Sequence, residues 1–494
     1  MTEGAMRNFG FSGARITVAG ISSLIISVIT ARSLGAQQMG TYSFIFWVVG
    51  TIAGLSSLGL PDAIAKYVAE YSGVGNPALA VKVARTIIAT QILAAILISL
   101  VGAGVWAALD RYHLILILLG LATVLPFALQ QTLLALMEGS QRFDLQLIAT
   151  LCGSAMQIAI VATFAARHAS VQGFVLATFL STLALTGFTL FLCRPMLVSL
   201  PSSAAHGYSP DLSRRIFNFS ISVYALWFLN LVVFDKSEMF FLRIFKSPQE
   251  IAYYSIAFAL TARLATAGES ISCVLFPMFV TRYTHHGTDG LREIYQRSMR
   301  YLQMLMVPIF VWAMPLTPGL LVFVYGREFA PAGTVVQVLL GTLLITLTIA
   351  FGSNVIYTME RQAHFVRVMI LVAAVNILLD LLLVPRYGAL GAAFANGLSQ
   401  AFAVCGLIMI VQKVLPGAFP GIASMKIYLA AAISIAPIIY AEQILRAGIL
   451  ITSVSVVAAV LIYLGLLSAL HAVTKSEVEA FGDGFMSVVF RRAG

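Results

Sequence analysis

The sequence predicts an all-α integral membrane protein of about 14 transmembrane helices, arranged as two six-helix bundles followed by two additional helices. Its composition, its series of apolar segments and an internal repeat lead to this prediction. The 494 residues are 60% hydrophobic and 10% charged, with a mean hydropathy of +0.94, whereas soluble domains contain about 25% charged residues. Because so few charges cannot cover a water-soluble surface, we expect most of the chain to lie in a bilayer.

Fourteen apolar segments are bounded by charged or turn residues. Crossing the hydrocarbon core of a bilayer takes about 20 mostly apolar residues in a helix, and each segment meets that length. The segments lie near 11–32, 40–62, 84–108, 113–136, 145–166, 171–193, 223–244, 251–280, 301–325, 333–357, 365–385, 390–412, 424–443 and 448–470. The loops between them are too short for a large soluble domain.

The distribution of Lys and Arg orients these helices, since basic residues accumulate in cytoplasmic loops. With the N-terminus in the cytoplasm, nineteen basic residues fall on the cytoplasmic side and at most nine on the other. We therefore expect a multi-pass protein with both termini in the cytoplasm. The basic residues that give the net charge of +10 are scattered singly, which argues against a nucleic-acid partner.

An internal repeat accounts for twelve of the helices. QQMGTYSF from Gln37 resembles QEIAYYSI from Gln249 (offset 212), MEGSQRF from Met137 resembles MERQAHF from Met359 (offset 222), and Arg167 and Gly173 match Arg386 and Gly391 (offsets 219 and 218). Three matches in the same order indicate a duplicated six-helix unit. Six is an even number, so the copies share one orientation, and sites in such parallel repeats lie at the repeat interface.

The repeat predicts the domain organisation. We expect an N-terminal bundle at 1–205, a second bundle at 206–414, two additional transmembrane helices at 415–472 and an amphipathic cytoplasmic tail at 473–494.

Charged residues inside the predicted helices are the main candidates for function, because a charge at the bilayer centre costs about 2.5–3.5 kcal/mol on insertion scales. Aligning helix 7 on helix 1 places Asp235 and Lys236 in mid-helix. Asp235 and Glu238 are three residues apart and share a helical face, and such a carboxylate pair can hold a proton or a cation. The candidates for ion coupling or gating are Asp235, Glu238, Glu269 and Asp380.

Cationic residues form a second group of candidates. Lys236, together with Arg15 and Arg263, could bind phosphate groups, and Lys66 and Arg243 near helix ends complete the predicted substrate-binding set. Two structural alternatives stay open. The acidic and basic residues could simply pair with one another to lock helices together, and Lys66 and Arg243 could extend their charges to the membrane interface.

Motifs for covalent chemistry are missing from the sequence. It contains no GxxxxGK[ST], HExxH or GxSxG pattern, so no catalytic residue, metal site or cofactor is predicted. The four isolated cysteines, Cys152, Cys193, Cys273 and Cys405, are expected to be packing residues.

Longer segments resemble a known family. ITARSLGAQQMGTYSF from Ile29, followed by SSLGL from Ser56, resembles the opening of bacterial polysaccharide transporters. These are the O-antigen flippase type of the multidrug/oligosaccharidyl-lipid/polysaccharide exporter superfamily. FDK from Phe234, followed by SPQEIAYYSIAF, is similar to that family's seventh helix, and NILLDLLLVPRYGALGAAFANGLS from Asn376 is similar to its eleventh and twelfth. The resemblance covers helices 1–12.

This resemblance implies an alternating-access flippase for undecaprenyl-diphosphate-linked oligosaccharides, the repeat units of surface polysaccharides such as lipopolysaccharide O-antigen. A cationic cavity would hold the diphosphate and sugars, with a proton or sodium gradient as the drive. By similarity to the peptidoglycan-precursor flippase, the two additional helices would form a groove for the lipid tail. The implied partners are the lipid-linked oligosaccharide, membrane lipids, and a polysaccharide polymerase with chain-length machinery, and the chain itself is expected to be a monomer.

Two other functions are compatible with such a chain. A cation-coupled multidrug exporter of the same superfamily would usually have about twelve helices and an anionic cavity, which the two additional helices and the cations Arg15, Lys236 and Arg263 disfavour. A membrane glycan polymerase or ligase would need a large periplasmic loop, and no loop here exceeds roughly 30 residues on the helix lengths used above. We therefore expect a transporter and not an enzyme.

Overall fold

The computed structural model describes residues 3–109, 114–198, 210–234, 237–359, 361–419, 421–444, 448–470 and 472. The described residues are helical almost throughout and contain no β-strand. The predicted amphipathic tail at 473–494 lies outside them.

Fifteen α-helices follow one another along the described chain. In order they are α1 (Glu3–Ser57), α2 (Leu60–Gly73), α3 (Pro77–Leu109), α4 (Leu114–Leu121), α5 (Val124–Gly139), α6 (Phe143–Ala166), α7 (Val171–Val198), α8 (Pro210–Phe234), α9 (Glu238–Phe245), α10 (Pro248–Tyr325), α11 (Ala332–Thr358), α12 (Gln362–Val414), α13 (Gly421–Ser434), α14 (Ala436–Ile439) and α15 (Ile449–Ala469). A 3-10 turn at Arg327–Phe329 follows α10, and a π-helix at Tyr440–Ile444 follows α14.

These helices confirm the predicted count of about fourteen membrane crossings. Gly35, Gly287 and Gly388 have positive φ angles of 69°, 58° and 60° inside α1, α10 and α12, so each of these long elements consists of two helical arms. One crossing, Ile115–Gly139, is built from two consecutive elements, α4 and α5. Ten helices of the described chain are long and apolar enough to cross a membrane, kinked ones being counted once.

The chain forms two compact units, Met1–Ile256 and Ala257–Gly494. The core of the first unit includes Ile64, Tyr67 and Leu133, all of them fully buried or nearly so. In the second unit the rings of Phe279 and Phe351 stack with their centroids 5.8 Å apart. The first unit extends beyond the first predicted bundle, and the domain boundaries proposed from the repeat stay predictions.

Backbone geometry supports the internal repeat. Gly75 and Gly287, 212 residues apart, both have positive φ, and so do His168 and Gly388, which are 220 residues apart. Helix ends refine the register: α5 ends at Gly139 and α11 at Thr358, an offset of 219. The match of Met137 with Met359, at an offset of 222, is therefore three residues out of register.

The second predicted helix, 40–62, is interrupted in the structure. Helix α1 ends at Ser57, Leu58 and Gly59 have φ angles of 49° and 71°, and α2 begins at Leu60. Glycine suits this position because it adopts positive φ without steric cost, and the proline that follows starts the new helix. A β-carbon on Gly59 would also lie 2.3 Å from the carbonyl oxygen of Ser220, so the backbones of α2 and α8 approach closely here.

We expect Gly59→Ala to lower the thermal stability of the purified protein, because the alanine would be strained at positive φ and would push α8 away. Strain of this kind costs about 1–3 kcal/mol. The matched control is Gly187→Ala in α7, where a β-carbon meets no atom within 4 Å. Thermal unfolding in detergent measures both, and a Gly59→Ala protein as stable as the control would contradict this interpretation.

Candidate functional site

Arg15 is a candidate cation of the first compact unit. It lies in the first arm of α1 and is half-buried. Its Nε atom is buried and has no hydrogen-bond partner among the described residues. A buried donor without a partner costs free energy, so Arg15 has a donor that an anionic ligand would satisfy.

Lys66 has a different environment. Its side chain is exposed on α2, and its Nζ lies 4.0 Å from the ring centroid of Phe219 on α8 and 5.2 Å from that of Tyr67. An ammonium over an aromatic face is a cation–π contact. Lys66 therefore already has partners within the protein, which favours a structural role.

The surroundings of Lys66 tie α2 to α8. Arg215 donates two hydrogen bonds to the carboxylate of Glu70, at 2.9 and 3.3 Å, and the Tyr67 hydroxyl donates to the Arg215 carbonyl at 3.2 Å. The Glu70 carboxylate raises the pKa of Arg215. Sequence reasoning missed this pair, since no local pattern connects residues 145 positions apart.

The residues around the predicted seventh helix are described in part. Arg243 is exposed in the last turn of α9, with its guanidinium carbon 5.6 Å from the ring centroid of Phe44. Glu238, the first residue of α9, is fully buried. This burial is consistent with the predicted position of Glu238 inside the membrane. Asp235 and Lys236 lie outside the described residues, so the proposed pairing of Asp235 with Glu238 stays a prediction.

In the second unit, Arg263 and Glu269 both lie in α10. Arg263 is half-buried, and one terminal nitrogen donates to the carbonyl of Ala259, one turn earlier, at 2.6 Å. The side chain of Glu269 lies outside the described residues. Arg263 thus extends along its own helix inside the predicted membrane segment.

Asp380 is one of four buried polar residues of α12, hereafter the α12 cluster. Its four members, Asn376, Asp380, Asn396 and Ser399, are at most 1% exposed. Asn376, on the first arm of α12, donates from Nδ2 to the Ser399 hydroxyl on the second arm at 3.3 Å. Polar groups are buried in apolar surroundings only when they find partners, so the cluster joins the two arms.

Sequence reasoning selected only Asp380 from this cluster. Asn376, Asn396 and Ser399 were missed as site residues because they carry no charge, although all three lie within the segment from Asn376 that resembles the transporter family. Among the described residues, no group of three or more His, Cys, Asp or Glu side chains could hold a metal ion.

A cavity of about 340 Å³ lies in the second unit between α10, α11 and α13. Its lining is mostly apolar, and Tyr428 closes one side by donating to the Leu344 carbonyl at 2.7 Å. The lining residues are Met299, Gln303, Leu344, Ile345, Phe419, Gly421, Ser424 and Tyr428.

The turn that leads into α13 is held against α10, and this contact positions the cavity. Arg292 donates from Nε to the Pro416 carbonyl at 3.0 Å, and Gln296 donates to the Gly417 carbonyl at 2.8 Å. The rings of Tyr295 and Phe419 meet edge to face with centroids 5.6 Å apart. The first additional helix therefore has a defined attachment to the preceding bundle.

Comparison with known proteins identifies related families along nearly the whole chain. The family model described as polysaccharide biosynthesis protein matches residues 5–283. The model described as lipid II flippase MurJ matches residues 247–465. The two matches overlap around the start of α10.

Individual relatives agree with these families. The probable low-salt glycan biosynthesis flippase Agl15 of Haloferax volcanii is 21% identical over 403 residues, which cover 78% of this chain and 79% of the relative. A structure of lipid II flippase MurJ in an inward closed conformation superimposes with a TM-score of 0.70 at 14% identity, covering 94% of this chain and 99% of that one. An inward-facing multidrug resistance transporter of the MATE family gives a TM-score of 0.64 at 13% identity, with coverages of 82% and 98%. At these identities the solved structures show a shared fold.

The contact of Lys66 with Phe219 yields a prediction about stability. We expect Lys66→Met and Phe219→Leu to be coupled in a double-mutant cycle by about 0.5–1 kcal/mol, the usual range for an exposed cation–π contact. Chemical or thermal unfolding of the wild type, both single variants and the double variant measures this coupling. Strictly additive effects of the two substitutions would mean that the contact between Lys66 and the Phe219 ring does not stabilise the protein.

Proposed function

Since the chain belongs to the polysaccharide biosynthesis protein family, we propose that it flips a lipid-linked oligosaccharide across a cytoplasmic membrane by alternating access. At the level of the family, the protein is a multi-pass flippase and not an enzyme. The observation that carries the proposal is the continuity of the two matches, which together run from residue 5 to residue 465.

The proposed substrate is an oligosaccharide on undecaprenyl diphosphate. A diphosphate needs cationic donors, and guanidinium groups bind phosphate oxygens through paired hydrogen bonds. Arg15 supports the proposal best because its buried Nε has no partner among the described residues. Arg263 and Lys236 complete the proposed grip, while Lys66 and Arg243, which face aromatic rings, are the weaker members.

The cellular setting is also part of the proposal. We place the protein in a bacterial cytoplasmic membrane with both termini inside, supported by the excess of basic residues in the predicted cytoplasmic loops. Its product would feed a polysaccharide polymerase and its chain-length machinery, as for lipopolysaccharide O-antigen. We propose that one copy of the chain suffices, since both repeats that frame the path lie in a single chain.

The cavity lined by Phe419, Ser424 and Tyr428 supports a second element of the proposal. Its apolar lining and its place beside α13 suit a segment of polyprenyl chain. Burying an apolar chain in such a cavity is favourable at about 25 cal/mol per Å². The additional helices would then bind the lipid tail while the first twelve handle the headgroup.

Transport of a large headgroup needs an energy source, and we propose a proton or sodium gradient acting at intramembrane carboxylates. Asp380 is the best supported of these, because it is fully buried and lies four residues after the equally buried Asn376 on the same arm of α12. Oxygen ligands suit a hard cation, and the carboxylate alone suits a proton. Asp235, Glu238 and Glu269 remain further candidates for coupling or gating.

A cation-coupled multidrug exporter is the alternative. Its support is the fold shared with the MATE-family transporter. The superposition includes 98% of that transporter but only 82% of this chain. The part of this chain without a counterpart is consistent with two additional helices. Together with the cations, this difference favours the flippase.

The proposed site predicts that Arg15→Ala and Arg263→Ala each reduce flipping of a lipid-linked oligosaccharide by at least about tenfold, a change of about 1.4 kcal/mol. The assay is proteoliposome flipping, read out by accessibility of the sugar to an enzyme or lectin outside the vesicle. Charge-conserving Arg15→Lys should retain part of the activity.

The matched control is Arg327→Gln, an exposed arginine in the 3-10 turn after α10, which should flip substrate normally. If the two alanine variants also flipped normally, the cationic site would be wrong. If vesicles with the wild-type protein transported cationic drugs but did not flip the glycolipid, the proposed flippase function would be wrong and the multidrug exporter would be the better assignment.

The coupling site predicts that Asp380→Asn folds normally but no longer responds to an ion gradient. The amide keeps the size and hydrogen-bonding capacity of the carboxyl while removing its charge and its proton. Flipping is measured with and without imposed proton or sodium gradients. Glu293→Gln, an exposed carboxylate on α10, is the control and should respond like the wild type. Gradient-driven flipping by Asp380→Asn would remove Asp380 from the coupling path.

A further inference from the structure

Two arginines lie side by side near the start of the second arm of α10. Arg297 and Arg300 are three residues apart and share one helical face, and both are half-buried. Their guanidinium carbons lie 6.0 and 5.9 Å from the ring centroid of the same residue, Tyr301. Arg297 also donates from Nε to the Tyr301 hydroxyl at 3.3 Å. We call these three residues the arginine clamp.

The helix that carries the arginine clamp is fixed against its neighbours within the second unit. Immediately before the clamp, Gln296 donates to the Gly417 carbonyl at 2.8 Å. Just after it, the Ser424 hydroxyl on α13 donates to Oε1 of Gln303 at 2.6 Å. The two arginines therefore stand on a rigid element, as a preorganised binding site requires.

The charges around the clamp are mostly positive. Lys413 is exposed in the last turn of α12, and Lys426 is half-buried on α13. Two acidic residues precede the clamp on α10. Of these, Asp289 already pairs with Arg292 at 2.7 Å, and Glu293 is exposed. The clamp thus lies in a region of net positive charge, which attracts anions.

A phosphate is the anion that suits two adjacent guanidinium groups. Each guanidinium presents a planar fork of N–H donors that matches two phosphate oxygens. The hydrogen bond to Tyr301 fixes the orientation of the Arg297 fork and leaves its terminal nitrogens for a second acceptor. Because like charges on one helical face repel each other, a phosphate bound between the arginines also removes that repulsion.

The position of the clamp along the chain indicates where such a phosphate comes from. The predicted transmembrane segment 301–325 begins at Tyr301, so the clamp lies at the membrane surface. In the orientation proposed above, this is the cytoplasmic surface. Tyrosine is typical of that depth, and basic pockets between helices on the cytoplasmic side suit the headgroups of anionic lipids.

We propose that the arginine clamp binds the phosphate of an anionic phospholipid from the cytoplasmic leaflet. The clamp contains none of the residues assigned above to the substrate, and the inference does not depend on transport. The bound phospholipid stabilises the folded protein, because a ligand that binds only the native state shifts the unfolding equilibrium towards it.

Lipid binding to purified, delipidated protein tests the clamp. Native mass spectrometry during titration with dioleoylphosphatidylglycerol measures the affinity of the tightest binding event. Arg297→Gln with Arg300→Gln should weaken that event at least about tenfold, equivalent to about 1.4 kcal/mol. Arg297→Lys with Arg300→Lys should also weaken it, because an ammonium group lacks the planar fork. The matched control is Arg327→Gln with Arg386→Gln, two exposed arginines, which should bind the lipid like the wild type.

A conservative variant keeps the test valid if the double variants unfold. Tyr301→Phe preserves both charges and the aromatic ring but removes the hydroxyl that orients Arg297. We expect a loss of affinity of about threefold or more, as for the loss of one hydrogen bond. Thermal unfolding with and without the lipid gives a second measurement, and the wild type should gain more stability from phosphatidylglycerol than Tyr301→Phe does.

Competition experiments distinguish the possible sources of the phosphate. Neither inorganic phosphate nor dioleoylphosphatidylcholine, whose choline group is cationic, should displace phosphatidylglycerol. Wild-type affinity in the glutamine or the lysine double variant would overturn the clamp, since general surface charge would then explain the binding. Displacement by inorganic phosphate would replace the lipid site with a site for free anions. Tighter binding of undecaprenyl diphosphate at the clamp would overturn the phospholipid and assign the clamp to the substrate.

Discussion

A bilayer supplies no water to the peptide backbone, so the peptide groups of this chain have to find their hydrogen-bond partners within helices. The described residues are accordingly helical almost throughout, and the chain changes direction only at short, specific breaks. Gly35, Gly287 and Gly388 provide three of them, each at a positive φ that glycine adopts without strain. The sites discussed above lie on helices that these breaks position.

The same constraint governs polar side chains within the membrane. Asn376, Asp380, Asn396 and Ser399 are buried together, and the hydrogen bond from Asn376 to Ser399 joins the two arms of α12. Arg15 differs from Asn376 and Ser399, since its Nε is buried without a partner among the described residues. The hydrogen bond between Asn376 and Ser399 stabilises a helix pair, whereas an unsatisfied donor creates affinity for a ligand that carries acceptors.

Gene duplication adds a second constraint, because two copies of one segment can meet only in certain ways. Where the second arm of α1 meets the start of α10, Gln37 is hydrogen-bonded to Gln249 and Ser43 to Ser255, so one surface had to become complementary to itself. Neutral side chains satisfy that requirement, since a charge would face its own copy and repel it. The contact combines close backbone packing at Gly40 with hydrogen bonds between neutral side chains.

The sequence by itself determined the class of the protein and its approximately fourteen helices, because apolar length is a property of local sequence. Tertiary structure alone decided which distant groups meet. Examples are Glu70 with Arg215, Lys66 with Phe219, and Gly59 against Ser220. No spacing rule links residues about 150 positions apart, because their contact depends on how whole helices pack. The sequence therefore indicated which residues need a partner inside the membrane, and the fold selected the partners.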